Sequence, residues 1–443
     1  MKSQLKNIYL SYRAGKRVSI ILFSILAGNL LAQKTETVAE MDHTKQLMQL
    51  QEEVMANLTG NILPYWMNNM VDEVNGGFYG RMSSKEKLII NADRGGILNA
   101  RILWTFSAAF RVLKDSAYLK MATHARDYIL DHFIDKQYGG AFMSVHSNGE
   151  PADTRKQIYT QAFFIYALSE YYRITGDQES LSKAKEIFNL VEKHGFDNAY
   201  NGYFEVYTRD WQRLNDQLIG EQTDKDEKGM NTHIHLMEAY ANLYRAWPDD
   251  MVAERLRNLI NIFSDYIVDK QHFHLTLFLT EKWESTSSGQ SFGHDIEASW
   301  LLVEAAQLLG DPGLLSEIQG MSIKMVNSAS EGLNADGSLI YERDMETGHA
   351  NRRLAWWTQA EAVVGLVNAY EITGNELYLV NAIKCWNFIN NNLVDHKAGE
   401  WFIAVSESGM IDRRGDKAGF WKAPYHNSRM CLEIITRTSH LKH

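Results

Sequence analysis

The feature that most restricts how this chain can fold is a glycine-aromatic element that recurs at nearly constant spacing. It reads Asn75-Gly-Gly-Phe-Tyr79, Tyr138-Gly-Gly-Ala-Phe142, Asn201-Gly-Tyr-Phe204, Asp336-Gly-Ser-Leu-Ile-Tyr341 and Ala398-Gly-Glu-Trp-Phe402. Counted from Gly76, Gly139, Gly202, Gly337 and Gly399, the gaps are 63, 63, 135 and 62 residues. The gap of 135 has room for one more copy, and His274-Leu-Thr-Leu-Phe-Leu279 stands where it belongs. Self-similarity at a fixed period marks a repeat architecture, in which each unit buries its apolar face against its neighbours. Six copies fill the chain.

Two helical patterns lie between successive markers. The first, as in 98–111, 157–173 and 294–309, is rich in Ala, Leu, Trp and Tyr on nearly every face. The second follows a short turn such as Thr175-Gly-Asp177, Gly310-Asp-Pro312 or Thr373-Gly-Asn375, and it is amphipathic, as in Leu181-Ser-Lys-Ala-Lys-Glu-Ile-Phe188. Glycine ends one helix and a polar side chain caps the next. A helix apolar all round must be buried, whereas an amphipathic one keeps a wet side. The first helices therefore predict an inner ring and the second an outer ring, with the last inner helix near 424–435 and the first outer helix near 44–69. The fold class is all-α: an (α/α)6 barrel whose glycine-aromatic segments form short β-hairpins at one mouth. An open solenoid would need polar caps at both ends, and none is evident.

A chain of 443 residues is long enough for two or three ordinary domains, but the six repeats argue for one closed unit over 34–443. A net charge of −10 and the absence of a long basic run exclude nucleic acid as the partner. The 11 Trp and 21 Tyr exceed what a helical core needs, and flat amphipathic rings suit the apolar faces of sugars. Cys385 and Cys431 form neither a disulfide framework nor a metal-binding spacing, and both are read as buried thiols. Residues 1–33 stand apart: Lys2, Lys6, Arg13, Lys16 and Arg17 precede an apolar run from Val18 to Leu31 and then Ala32-Gln33. That is the layout of a secretory signal, and the run is shorter than the roughly 20 residues of a membrane span. The expectation is an exported, periplasmic or secreted monomer with no membrane association after signal removal.

The N-terminal ends of the inner helices meet at one mouth, and polar residues concentrate there. In chain order they are Asn99 and Arg101; Tyr159 and Gln161; Asn231, His233 and His235; His294 and Glu297; Trp356, Trp357, Gln359 and Glu361; and Trp421, His426 and Asn427. Helix N-termini add a positive field that suits a developing oxyanion. Residues three or four apart share a helix face, which pairs Asn231 with His235, His294 with Glu297 and Trp357 with Glu361. Glu297 is expected to hold one nitrogen of His294 while the other works. Alternate residues on a helix point about 200° apart, so only one of His233 and His235 faces inward. Of the adjacent Trp356 and Trp357, the second is expected to face the cavity. Arg101 reads equally as a structural cation or as a group that binds a substrate oxygen. His272 and His274 lie off the helix starts and read as structural. With no Cys cluster and no HExxH string, neither a metal nor another cofactor is expected.

At these residues the chain resembles the N-acylglucosamine 2-epimerase superfamily, and within it the cellobiose and mannobiose 2-epimerases. The strings that carry the resemblance are Leu98-Asn-Ala-Arg-Ile-Leu-Trp104, Asn231-Thr-His-Ile-His235, Gly293-His-Asp-Ile-Glu297, Trp356-Trp-Thr-Gln-Ala-Glu361 and Trp421-Lys-Ala-Pro-Tyr-His-Asn427. It covers Leu47 to the C-terminus, and one departure is Ala423, where many relatives have cysteine. The resemblance implies an (α/α)6 barrel without a required metal or nucleotide, acting on a disaccharide or oligosaccharide. His294 and His426 match the two general acid/base positions, His235 a further essential histidine, and Arg101 the arginine that binds the reacting sugar's oxygens. Asn231, Glu297, Trp357 and Trp421 fall on binding or supporting positions. The expected reaction inverts carbon-2 of the reducing-end sugar. The alternatives are an aldose–ketose isomerase on the same fold, an (α/α)6 glycosidase using paired carboxylates, and a non-catalytic glycan-binding protein.

Overall fold

The computed structural model describes residues 43–214 and 227–442, so the expected signal at 1–33 lies outside the described residues. They group into two units. The smaller comprises the helical stretch 43–53 and the C-terminal residues from Arg437, which end in the 3-10 turn Ser439–Lys442. The larger, Val54–Thr436, is the barrel.

Its first helix, α1 (54–69), is followed by five helical pairs and a last single helix. The inner members are α2 (Gly96–Leu113), α4 (Ile158–Thr175), α6 (Met230–Ala246), α8 (Phe292–Leu309), α10 (Trp356–Thr373) and α12 (Tyr425–Arg437). The outer members are α3 (Ser116–Tyr128), α5 (Gln178–His194), α7 (Asp250–Ile262), α9 (Pro312–Ala329) and α11 (Glu376–Phe388). In α2 every residue from Gly96 to Ala109 is buried, whereas α5 buries only one stripe containing Leu181, Ala184, Ile187, Phe188 and Val191. That contrast is the one read from the apolar patterns. The outer helices start where Asp115, Asp177, Asp249, Asp311 and Asn375 accept backbone N–H groups as N-caps.

The barrel closes through side chains of its first and last inner helices. Trp104 of α2 meets Tyr425 of α12 edge-on at 5.2 Å, and Thr105 Oγ1 donates to the Pro424 carbonyl at 3.2 Å. Short antiparallel ladders run round the same mouth. The two or three residues before each of the first five inner helices pair with the hairpin of the next repeat, as in Lys156–Gln157 with Val206–Tyr207 and Leu354–Ala355 with Ala404–Val405. A single bridge, Met82 to Ala418, completes the circuit from last repeat to first.

All six glycine-aromatic copies are present as turns closed by a bridge, including Val268 to Leu275 in the copy without the marker. The turns need a left-handed residue, which glycine adopts without steric cost. In the hidden copy Phe273 takes it at φ 60°. At Gly202 a Cβ would meet the Trp283 ring at 2.4 Å. Three of the turns are further tied to the strand before an inner helix by a buried ion pair, Asp72–Arg94 at 2.5 Å, Asp135–Lys156 at 2.9 Å and Asp197–Lys228 at 2.7 Å, and Asp395 is held in the same manner at 2.6 Å by Lys417, beside the Ala418 bridge. No helix among the described residues is long and apolar enough to cross a membrane.

Candidate active site

The inner-helix starts present two faces, and the structure sorts the polar residues between them. The outward face clamps the turns. Gln161 accepts from the Ala141 N–H at 2.7 Å and donates to its carbonyl, and Gln359 does the same to Leu339. His233 accepts from Tyr203 N at 3.1 Å, and Asp295 accepts from Leu275 N while holding His274 Nδ1 at 2.6 Å. Asn427 donates to Glu400 at 2.7 Å. Asn99 turns back onto the Gly95 carbonyl, so it braces the first turn of α2 instead of entering the bore. His274 is thus structural, as read from its position, and His233 is the outward member of the His233/His235 pair.

The inward face converges. Trp357 packs against His294 with ring centroids 4.6 Å apart and against His426 at 5.7 Å, so imidazoles from α8 and α12 rest on one indole. Trp356 also reaches His426, at 6.3 Å, and its Nε1 is buried without a partner. Trp357 thus faces the two histidines as expected, and Trp356 adds a longer, edge-on contact to one of them. His235 lies edge-on to Tyr159 at 4.9 Å, and Trp421, 41% exposed, lies 6.0 Å from Tyr159 at the open side. Asn231 leaves its buried Oδ1 unpaired.

Arg101 donates to Tyr159 OH at 2.9 Å and to the Trp421 carbonyl at 3.2 Å, and its guanidinium lies over Phe163 and Tyr425. None of these partners is a carboxylate, and its buried Nε is unpaired. A desolvated cation held by rings and neutral oxygens keeps its attraction for an incoming anionic oxygen.

The expected pairing of Glu297 with His294 is overturned. His294 Nδ1 instead bonds Ser291 Oγ at 2.7 Å, while Glu297 accepts from Arg429 at 2.5 Å. The reason is that Arg429 of α12 enters the barrel centre and draws the carboxylate off its own helix. His426 Nδ1 is held by Glu361 at 2.7 Å and His235 Nδ1 by Glu238 at 3.0 Å. Ser291, Glu238, Tyr425 and Arg429 were missed in the sequence. Glu238 stands three residues after His235 and Arg429 three after His426, so the spacing used for His294 and Glu297 would have found both.

Burial pushes His294 down to about 3, with His235 adding to it. It also holds His426 well below the usual imidazole range, aided by Arg101 and Arg429. Both rings are neutral at pH 7, the form that can take a proton. Burial and Glu361 lift Glu297 to about 7. Glu238 is held down to about 2: burial opposes this, but Arg429, His235 and Tyr425 outweigh it. Glu297, Glu361 and His426 cluster closely enough to suggest a metal site. However, Arg429 donates to both carboxylates, at 2.5 and 2.6 Å, and supplies the positive charge itself.

Residues 77–427 match the family of N-acylglucosamine 2-epimerase (GlcNAc 2-epimerase). The cellobiose 2-epimerase of Bacteroides fragilis is 49% identical over 386 residues, covering 87% of this chain and 98% of the relative. The solved structure of cellobiose 2-epimerase from Bacillus thermoamylovorans B4167 superposes with a TM-score of 0.84 at 39% identity, over 88% of this chain and 99% of that one. That of the cellobiose 2-epimerase from Spirochaeta thermophila DSM 6192 gives 0.84 at 40% identity, over 90% and 98%. With the barrel, the converging histidines and these likenesses in agreement, the chain belongs to the N-acylglucosamine 2-epimerase family and is an enzyme of the epimerase–isomerase class.

Proposed function

We propose that this enzyme inverts carbon-2 of the reducing-end sugar of a β-1,4-linked disaccharide, converting cellobiose to glucosyl-mannose or mannobiose to mannosyl-glucose. The observation that carries the reading is the pair of neutral imidazoles, His294 and His426, from separate helices against one indole. After the sugar ring opens, one imidazole takes the proton alpha to the aldehyde, and the electron pair moves onto the carbonyl oxygen as a planar cis-enediolate. The other imidazole returns a proton to the opposite face. Arg101 stabilises the oxyanion, with His235 beside it, while Asn231, Trp357 and Trp421 hold the sugar. The likeness to cellobiose 2-epimerases supports the disaccharide.

A glycosidase reading is disfavoured by one contact. Glu297 and Glu361, the carboxylates it would need, both accept from the same Arg429 nitrogen instead of facing each other across a bond to be cut. The test is incubation with cellobiose, mannobiose and mannose in heavy water. Deuterium at carbon-2 with a C2-epimer product is expected. A ketose as the main product, or released monosaccharide, would replace the proposal with an isomerase or a glycosidase. We further propose that residues 1–33 direct export. Fractionation of cells producing the full chain checks this, and activity confined to the cytoplasm would refute it.

A further inference from the structure

The most heavily charged spot in the barrel lies beneath the histidines, and the mechanism above gives its central residue no role. Arg429, on α12 one turn after His426, is fully enclosed. Its Nη1 donates to Glu238 of α6 and to Tyr425 OH, and its Nη2 donates to Glu297 of α8 at 2.5 Å and to Glu361 of α10 at 2.6 Å. Two of these carboxylates are the ones that hold histidine Nδ1 atoms, Glu238 for His235 and Glu361 for His426. One guanidinium therefore touches the supports of both rings.

What it does follows from donor counting. Arginine and tryptophan N–H groups only donate, and an ionised carboxylate only accepts. Glu361 receives Arg429 and His426 on Oε1 and Trp300 Nε1 on Oε2, at 3.1 Å. Glu238 receives Arg429 and Tyr425 OH on Oε1 and His235 on Oε2. With the carboxylates acting purely as acceptors, both histidines must carry their proton on Nδ1. That leaves each Nε2 lone pair free. A protonated carboxylic acid would instead donate to Nδ1, and the ring proton would move to Nε2, where the base has to be.

We propose that Arg429 is a positioning residue that fixes the tautomer of two histidines at once, His235 and His426, by keeping Glu238 and Glu361 ionised. This rests on the reading of those histidines as working groups. Without a cation, three buried carboxylates side by side would take up protons. Burial already lifts Glu361 above its ordinary range, and Arg429 is the main group opposing it. The other ionisable groups around the cluster are Arg101 from α2, Tyr159 and Tyr166 from α4, and His294 from α8. Arg101 is the only second cation among them, and it is engaged by Tyr159 and Trp421.

The test compares Arg429→Gln and Arg429→Lys with the wild type, using kinetics from pH 5 to 9 and nitrogen NMR of histidine-labelled protein. The NMR signals of His235 and His426 are assigned by their absence in His235→Gln and His426→Gln variants. In the wild type both rings are expected as Nδ1–H tautomers. In Arg429→Gln at least one becomes Nε2–H at neutral pH. Because a wrong histidine tautomer removes most of the benefit of acid–base catalysis, kcat should fall about 100-fold or more with KM much less affected. Raising the pH re-ionises the carboxylate, so the acid limb of kcat/KM should move to higher pH and activity should recover on the alkaline side. A merely structural arginine would give a loss of equal size at every pH and unchanged tautomers, and that result overturns the proposal. If Arg429→Gln does not fold, Arg429→Lys and the wild type decide: lysine keeps a cation beside the carboxylates and should preserve the Nδ1–H tautomers, so an Nε2–H ring at neutral pH in either protein would be equally fatal. The NMR result does not depend on the substrate, so failure of the epimerase reading and failure of this one are told apart.

Discussion

The outward and inward faces of the same helix starts use the same residue types to opposite ends. His233 and His235 sit two residues apart on α6. The first is saturated, with Nδ1 at the Gly229 carbonyl (2.8 Å) and Nε2 at Tyr203 N. The second has Nδ1 on Glu238, and no protein partner is seen for its Nε2 among the described contacts. Charges divide the same way. At the rim the turn aspartates are fully matched by lysine or arginine and by turn N–H groups, as Asp197 is by Lys228 and by Ala199 N, and as Asp135 is by both Lys156 and Arg209. In the bore three carboxylates share Arg429, and Arg101 has no carboxylate at all. Complete pairing makes a buried polar group a fastener, whereas incomplete pairing leaves it able to act on something else.

That contrast is broken most directly by exchanging the two histidines' fates. His235→Ala should lower kcat about 100-fold or more, the scale of a lost acid–base or oxyanion group. His233→Ala should leave kcat within a few-fold but cost about 1–3 kcal/mol of stability, because Tyr203 N loses its acceptor. Turnover and denaturant titration of both variants measure the difference, and equal losses of activity would erase the distinction between the faces.

At the rim, Lys228→Met leaves Asp197 buried without its cation. A loss of about 3–5 kcal/mol is expected for breaking such a pair from one side. A denaturation midpoint unchanged from wild type would show that the pair does not fasten the turn.

The pH dependence sharpens the comparison further. His294 is held down to about 3, below the 6.5 or so of a free imidazole. The unfolded chain therefore binds that proton more readily. The stability this gives is complete above about pH 6.5 and is lost as pH falls toward 3. The paired rim aspartates are also depressed, so their contribution is lost only below about pH 4. Glu297, raised to about 7, works the other way: its contribution is present at low pH and lost as pH rises from about 4 to about 7. The stability profile of His294→Gln should be flatter than wild type between about pH 3 and 6.5 and run parallel to it outside that window. The smallest effect expected is that of Ser291→Ala, about tenfold in kcat, for the single hydrogen bond that orients His294.

The repeat could be read in the sequence because it rests on local chemistry: a left-handed turn, an Asp or Asn cap, an apolar helix and an amphipathic one. Even the unmarked copy was found, since its neighbours leave room for it, although Phe273 replaces the glycine. The ion pairs between turn and strand were not anticipated. Their partners stand more than 20 residues apart, and no helical or strand period links them.

The site was legible to one level and no further. The sequence by itself determined that inner-helix starts carry histidine, tryptophan and arginine, and helical spacing showed which of them share a face. Only the tertiary structure decided who holds whom. Glu297 has the right spacing for His294 and goes to Arg429 instead, and His426 is held by a glutamate 65 residues away. The physical reason is that a buried carboxylate binds the strongest donor within reach. Across a closed ring of helices, that donor comes from a neighbour on another part of the chain, which no spacing along one helix can reveal.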